Sequence, residues 1–212
     1  MWVFQRRRAR RPESITKVHV GAGGVHLDGW WNVDLRHAPG VDEVMDVREG
    51  MPFRDLSLIY AEHFIEHLTL EEALLFLAEC RRVLAPSGVL RLSTPNLDWV
   101  MLTHYHFADR IALNDALRDC LMTNKAFHGW GHRFLYNKEM LGHCLAHAGF
   151  STISFHRYGE STRPELQNIE RHETYLDGPA LPHLVIAEAT GRQAKTGLIE
   201  PFFSEYTAAL KA

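Results

Sequence analysis

The sequence predicts an α/β fold built on a mostly parallel sheet. Three observations point there. A short apolar run, Val18-His19-Val20, feeds a glycine turn, Gly21-Ala22-Gly23-Gly24, and a second run, Asn32-Val33-Asp34-Leu35, follows with an acid in it. Leu56-Ser57-Leu58-Ile59-Tyr60-Ala61 is nearly continuous in apolar residues, as in a strand covered on both faces. Between it and a third apolar run, Val89–Thr94, lies a helical stripe with its own start and stop signals.

The bulk numbers agree. A chain of 212 residues suits one domain. It needs neither disulfide nor metal to fold, because a chain of this size buries about 70% of its extended surface. Hydrophobic content of 46% and charged content of 23% are ordinary for a soluble globular protein. A net charge of −3 argues against a general nucleic-acid binder, and no specific nucleic acid is expected. The apolar runs are too short to span a bilayer. Cys80, Cys120 and Cys144 have no CxxC spacing, which points to reduced thiols and a cytoplasmic setting.

Residues 1–16 read as a basic arm. Arg6-Arg7-Arg8-Ala9-Arg10-Arg11 has no apolar stretch after it, so a secretory signal is not expected. A solvated arm and a peripheral contact with anionic lipid or another polyanion both fit.

Lys17–Val20 is strand one. Gly21 to Trp30 is shorter than the dozen or so residues of an ordinary parallel crossover, so one short helical turn at most is expected. Trp30 and Trp31 would point to opposite faces of strand two. Val41–Asp46 is a third strand, and Leu56–Ala61 a fourth. Thr69 and Glu72 form a capping box, and Leu70, Ala73, Leu74, Leu77 and Leu84 supply the helical stripe behind it. Pro86-Ser87-Gly88 turns the chain into strand five, Val89–Thr94. From 97 to 136 the alternation breaks in an aromatic-rich insertion, with a helix near Phe107–Leu121. Asn137 caps a helix carrying Met140, Leu141, Cys144, Leu145 and Ala148, and Gly149 closes it. Phe150–Tyr158 is strand six, Gly159–Pro182 is irregular, and His183–Thr190 is strand seven. Residues 191–212 form a tail with a short helix near Ser204–Lys211.

A strand, a glycine turn and an acid make a nucleotide-binding mouth. A dinucleotide fingerprint wants G-x-G-x-x-G and an acid about 20 residues on. Here His26 holds the third glycine position and Asp34 follows Gly23 by eleven residues, a poor fit to NAD. The stretch resembles motif I of class I S-adenosylmethionine-dependent methyltransferases. It is closest to a type-11-like subgroup with a short first crossover and the string "G-W-x-N-V-D-L", matched by Gly29 to Leu35. Glu79 to Asn96 resembles the subgroup's "R-V-L-K-P-G-G" junction, with Ala85 for the lysine and Ser87 for the first glycine. Ser57 stands where family members often carry an aspartate. The resemblance spans roughly Lys17 to Ala189.

The resemblance implies a Rossmann-like, seven-stranded, mostly parallel sheet with helices on both faces. Its last strand runs antiparallel between strands five and six. Residues 17–190 would be the methyltransferase domain, with 97–136 covering the substrate. The cofactor would be S-adenosylmethionine. Gly21, Ala22 and Gly23 would approach its methionine part, and Asp34, with Leu35 beside it, would hold the ribose. Asp46 and Val47 would frame adenine, with a capping role for Asp46 as the alternative. Ala61, Glu62 and His63 would line the floor. The acceptor would be a small molecule or saccharide.

Methyl transfer from a sulfonium mainly needs alignment and exclusion of water, and a base only where the acceptor loses a proton. His67, in the family's "E-H-L", is the candidate base, with a loop-holding role as its alternative; His63 is the second candidate. His132 and Arg133, in a segment resembling "H-x-x-x-Y", are candidate acceptor contacts. With 14 histidines a metal must be weighed, but the His128–His132 pair is broken by two glycines, and no metal is expected. Gly159–Ser161 and Pro164–His172 look like subgroup signatures that close a pocket or an interface. A catalytically silent module of the same fold and an NAD-type oxidoreductase are the rival readings.

Overall fold

The computed structural model describes residues 11–12, 14–104, 113–171 and 181–211. The basic block up to Arg10, the start of the helix expected near Phe107 and the signature residue His172 lie outside them. The sheet has seven strands: β1 (Lys17–Val20), β2 (Trp31–Asp34), β3 (Glu43–Val44), β4 (Leu56–Glu62), β5 (Leu84–Pro95), β6 (Thr152–His156) and β7 (Leu184–Thr190). Their order is β3-β2-β1-β4-β5-β7-β6. The first five pair in parallel, and β7 runs antiparallel to both β5 and β6, as the resemblance implied. Val20 lies level with Val33 and Ala61, so the loops after β1, β2 and β4 open at one carboxyl edge.

The first crossover contains turns and no helix. Asn32, fully buried, holds it in place. Its two Nδ2 hydrogens are shared among the carbonyls of Leu27 (3.2 Å) and Trp30 (3.0 Å) and Asp42 Oδ2 (2.9 Å). Its Oδ1 accepts from Leu27 N at 2.9 Å and lies 3.0 Å from His19 Nδ1. Because that oxygen only accepts, His19 carries its proton on Nδ1. Burial keeps the His19 pKa below its ordinary value. The two tryptophans take opposite faces and both are buried. Trp31 joins the larger core cluster, and Trp30 joins a smaller one with Leu58, Tyr60, Leu166 and Ile169.

Helix α1 (Leu70–Val83) begins with the expected capping box. Leu84 departs from expectation: with ψ 141° it caps the helix and opens β5 opposite Leu56, while Phe76 completes the buried stripe. Gly88 is obligatory there, because a Cβ would stand 2.5 Å from the Leu56 carbonyl. Two helices, α2 (Leu97–His104) and α3 (Leu113–His128), occupy the aromatic-rich segment. In α4 (Lys138–His147) the Asn137 side chain accepts from Met140 N, as read from the sequence. Strand β6 is shorter than expected: Phe150 is spent closing α4 through its bond to the Leu145 carbonyl. The final helix, α5 (Glu200–Ala209), starts earlier than expected, with Pro201 in its first turn. Ile199 and Phe203 pack on the larger core.

The smaller cluster is covered by the segment 159–171. Buried Arg91 on β5 bonds Glu170 (2.7 Å) and Glu188 of β7 (2.6 Å) and donates to the Glu160 carbonyl (3.0 Å). The Gly159–Ser161 and Pro164–Arg171 signatures therefore seal a sheet face. Cys80 and Cys144 are buried free thiols, and burial pushes Cys144 up to about 12. No helix among the described residues is long and apolar enough to cross a membrane.

Asn32→Ala leaves several buried groups without partners. It is expected to cost about 2–3 kcal/mol, a fall in Tm of roughly 5–10 °C at this chain length. Thermal unfolding followed by circular dichroism measures it; an unchanged Tm would remove Asn32 from the centre of the fold.

Candidate active site

A cavity opens at the carboxyl edge beside β1, β2 and β3. Gly21, Asp34, Leu35, Asp46, Val47 and His67 line it, together with Met45, Arg48, Phe64 and Leu68. Of the residues singled out in the sequence, Ala22, Gly23, Ala61, Glu62, His63, His132 and Arg133 lie outside its wall. Phe64, Leu68, Met45 and Arg48 were not anticipated. Arg48 left a signal, since it follows a strand-end acid by two residues.

Each carboxylate at this edge is already partly engaged. Asp34 Oδ2 accepts from Gly23 N at 2.8 Å, and Oδ1 from Arg36 N at 2.9 Å. The acid after β2 thus pins the glycine turn after β1, and about two of its four lone-pair directions stay open. Gly21 sits at φ 70°, and a Cβ there would come within 2.7 Å of Phe64 Cδ2. Only glycine lets the turn approach that ring. Asp46 caps the 3-10 turn Val47–Glu49 through Arg48 N and binds the Arg48 guanidinium at 2.6 Å. Glu72, at the start of α1, takes Arg48 at 3.1 Å and Arg133 at 2.9 Å. Glu62 accepts from Arg171 N with both oxygens, at 2.9 and 3.1 Å.

The segment after β4 holds the histidines. His63 has φ 47°, and its Nδ1 lies 3.1 Å from Oε1 of the fully buried Glu66. Glu66 Oε2 accepts from Thr94 Oγ1 at 2.9 Å. The Glu66 carbonyl accepts from Arg133 N (2.7 Å) and Phe134 N (3.1 Å), which locks residues 66–67 to residues 132–134. His132 consequently meets His67, ring centroids 5.3 Å apart. His128 and His132 do not share a helical face: α3 ends at His128, and Trp130 between them has φ 58°.

No protein-family model matches the sequence, and no curated protein sequence does. Solved structures match the fold. A structure from Thermotoga maritima, described as a SAM-dependent methyltransferase and possible histamine N-methyltransferase, aligns with a TM-score of 0.51. Identity is 17%, over 86% of this chain and 84% of that one. The chain has the class I methyltransferase fold. A possible exported protein from Bordetella parapertussis aligns with a TM-score of 0.50 and 12% identity, over 84% of this chain and 63% of that one. The chain spans about half the length of other structures it matches, such as the citrinin polyketide synthase CMeT domain (TM-score 0.49, 14% identity, 84% of this chain, 47% of that one).

In this methyltransferase fold the Arg48 bridge ties the turn after β3 to α1. The guanidinium hydrogen-bonded to Asp46 holds that carboxyl below its ordinary 3.8. Burial pushes Glu72 up, but the Thr69 donors, Arg133 and Arg48 outweigh it and the net shift is downward from 4.5. Both acids are depressed in the folded state, so their contribution is present above those values and lost as pH falls through the depressed ones. Arg48→Ala is expected to lower Tm slightly at neutral pH, with the gap to wild type closing below about pH 4. A gap unchanged in acid would show that Arg48 acts through packing.

Proposed function

We propose that the protein is an S-adenosylmethionine-dependent methyltransferase acting on a small-molecule acceptor, saccharides included. The observation that carries this reading is Asp34. Its carboxylate lies in the cavity wall beside Gly21 with lone pairs still open toward a ribose. The cofactor supplies the methyl group as a sulfonium, already positively charged. The protein binds it, orients the acceptor and excludes water.

Gly21, with Ala22 and Gly23 behind it, receives the methionine part. Asp34 and the adjoining Leu35 take the ribose. Asp46 and Val47 frame the base; the Arg48 pairing fixes the Asp46 carboxylate, so its reach toward an adenine amino group is set in advance. Ala61, Glu62 and His63 carry the floor at the end of β4. His67 is the histidine in the cavity wall, with His132 next to it, and the acceptor is assigned to their side. Two rivals are discriminated by binding and turnover. An oxidoreductase would bind NAD, against the short spacing from Gly23 to Asp34. A silent module would bind cofactor without acceptor-dependent turnover.

The test is titration calorimetry with S-adenosylhomocysteine and NAD. Charge-assisted bonds to ribose contribute roughly 1.5–3 kcal/mol, so Asp34→Ala should weaken S-adenosylhomocysteine binding by about 10- to 150-fold. Asp34→Asn keeps an oxygen for Gly23 N and separates the ribose from the turn. Wild type that binds NAD and ignores S-adenosylhomocysteine would overturn the reading.

A further inference from the structure

We infer that, against the expectation from the sequence, Glu66, His67 and His132 form a site for a divalent transition-metal cation beside the cavity that His67 lines. One ligand atom from each lies within 4.8 Å of the other two. The site deepens the proposed reading, on which it rests for the identity of the acceptor but not for the binding of the ion.

The tautomers favour ligation. His67 Nδ1 lies 3.3 Å from the Gly131 carbonyl, and His132 Nδ1 lies 2.8 Å from the Ala126 carbonyl. Carbonyl oxygens only accept, so each Nδ1 carries the proton and each Nε2 keeps its lone pair. An imidazole whose other nitrogen donates to a carbonyl is a histidine oriented for a metal. The third donor is a carboxylate with 0% exposure. Buried charges are paired or coordinate metals. Among the described residues no Lys or Arg pairs with the Glu66 side chain; its contacts are Thr94 Oγ1 and His63 Nδ1, which hold the carboxylate in place. The backbone bonds from Arg133 and Phe134 to the Glu66 carbonyl fix the two ligand-bearing segments against each other.

Metal–ligand bonds of about 2.1 Å place ligand atoms roughly 3.3 Å apart, so closing on an ion takes movements of about an ångström in two half-buried histidines. Two imidazoles and one carboxylate suit zinc, iron, cobalt or manganese and leave positions open. His67 also lines the cavity, so an open position there takes a hydroxyl oxygen of the acceptor. Ligation lowers the pKa of such a hydroxyl, so that its proton leaves to solvent as the acceptor binds and before water is excluded. In this arrangement His67 acts as a ligand, and the acceptor needs no histidine base.

The experiment uses the full chain freed of metal by chelation. Zn²⁺ is titrated by calorimetry, and Co²⁺ by its visible absorption. One ion per chain is expected, with His132→Ala and His67→Ala weakened by about 10- to 100-fold or more. His128→Ala, an exposed histidine outside the cluster, should bind as wild type does. Glu66→Gln tests the carboxylate. Because that change is buried, thermal melts accompany it, and Zn²⁺ should raise the Tm of wild type but not of His132→Ala. Failure of wild type to take up one ion, or equal uptake by His132→Ala, overturns the site. S-adenosylhomocysteine titrated into the same samples separates the readings: zinc uptake without it sinks the methyltransferase, and the reverse sinks only the metal.

Discussion

The buried amide of Asn32 is the interaction on which the rest depends. A parallel pair normally needs a long crossover, and here β1 and β2 are joined by ten residues without a helix. Such a loop has no internal ladder to satisfy its polar groups, so a side chain must do it. Asn32 serves Leu27 and Trp30 on one side and Asp42 on the other. It thereby ties β1 at His19, the start of β2 and the approach to β3 at Asp42 to one another. The glycine turn, Asp34 and Asp46 inherit their positions from that arrangement.

From this frame the edge becomes a set of held carboxylates. Asp34 steadies the glycine turn, Asp46 is clamped by Arg48, and Glu72 gathers Arg48 and Arg133 at the mouth of α1. Groups fixed before a ligand arrives lose less freedom when it binds. The histidine side of the cavity is built differently, around one buried acid and a backbone clasp between distant segments.

Much of the fold was legible because its signals are local. The capping box at Thr69 and Glu72, the cap at Asn137 and the glycine turn each need only a few neighbouring residues. Leu84 misled because a helical period continues into it, while its pairing with Leu56 lies elsewhere in the chain. The Arg91 cluster was hidden for the same reason: its two acids come from a loop and from the last strand. At the site, Gly21, Asp34 and Asp46 could be read from strand ends. The meeting of Glu66 and His67 with His132 could not, because it depends on backbone bonds across more than sixty residues. The adjacent acid and histidine at 66–67 were visible and so was His132, but His132 was paired with His128 or with the acceptor and not with them.

The position of β7 has a consequence for synthesis. Among the described strands it is the last made, yet it fills the gap between β5 and β6. Until it emerges from the ribosome, the hydrogen-bonding edge of β5 is bare, and Arg91 lacks Glu188. An uncovered strand edge is a template for wrong pairing. A nascent chain that pauses before residue 184 therefore carries a half-built sheet in which Arg91 has only Glu170 and the Glu160 carbonyl as partners. A charged side chain on an edge strand disfavours pairing with another chain, and Arg91 supplies one until the closing strand arrives.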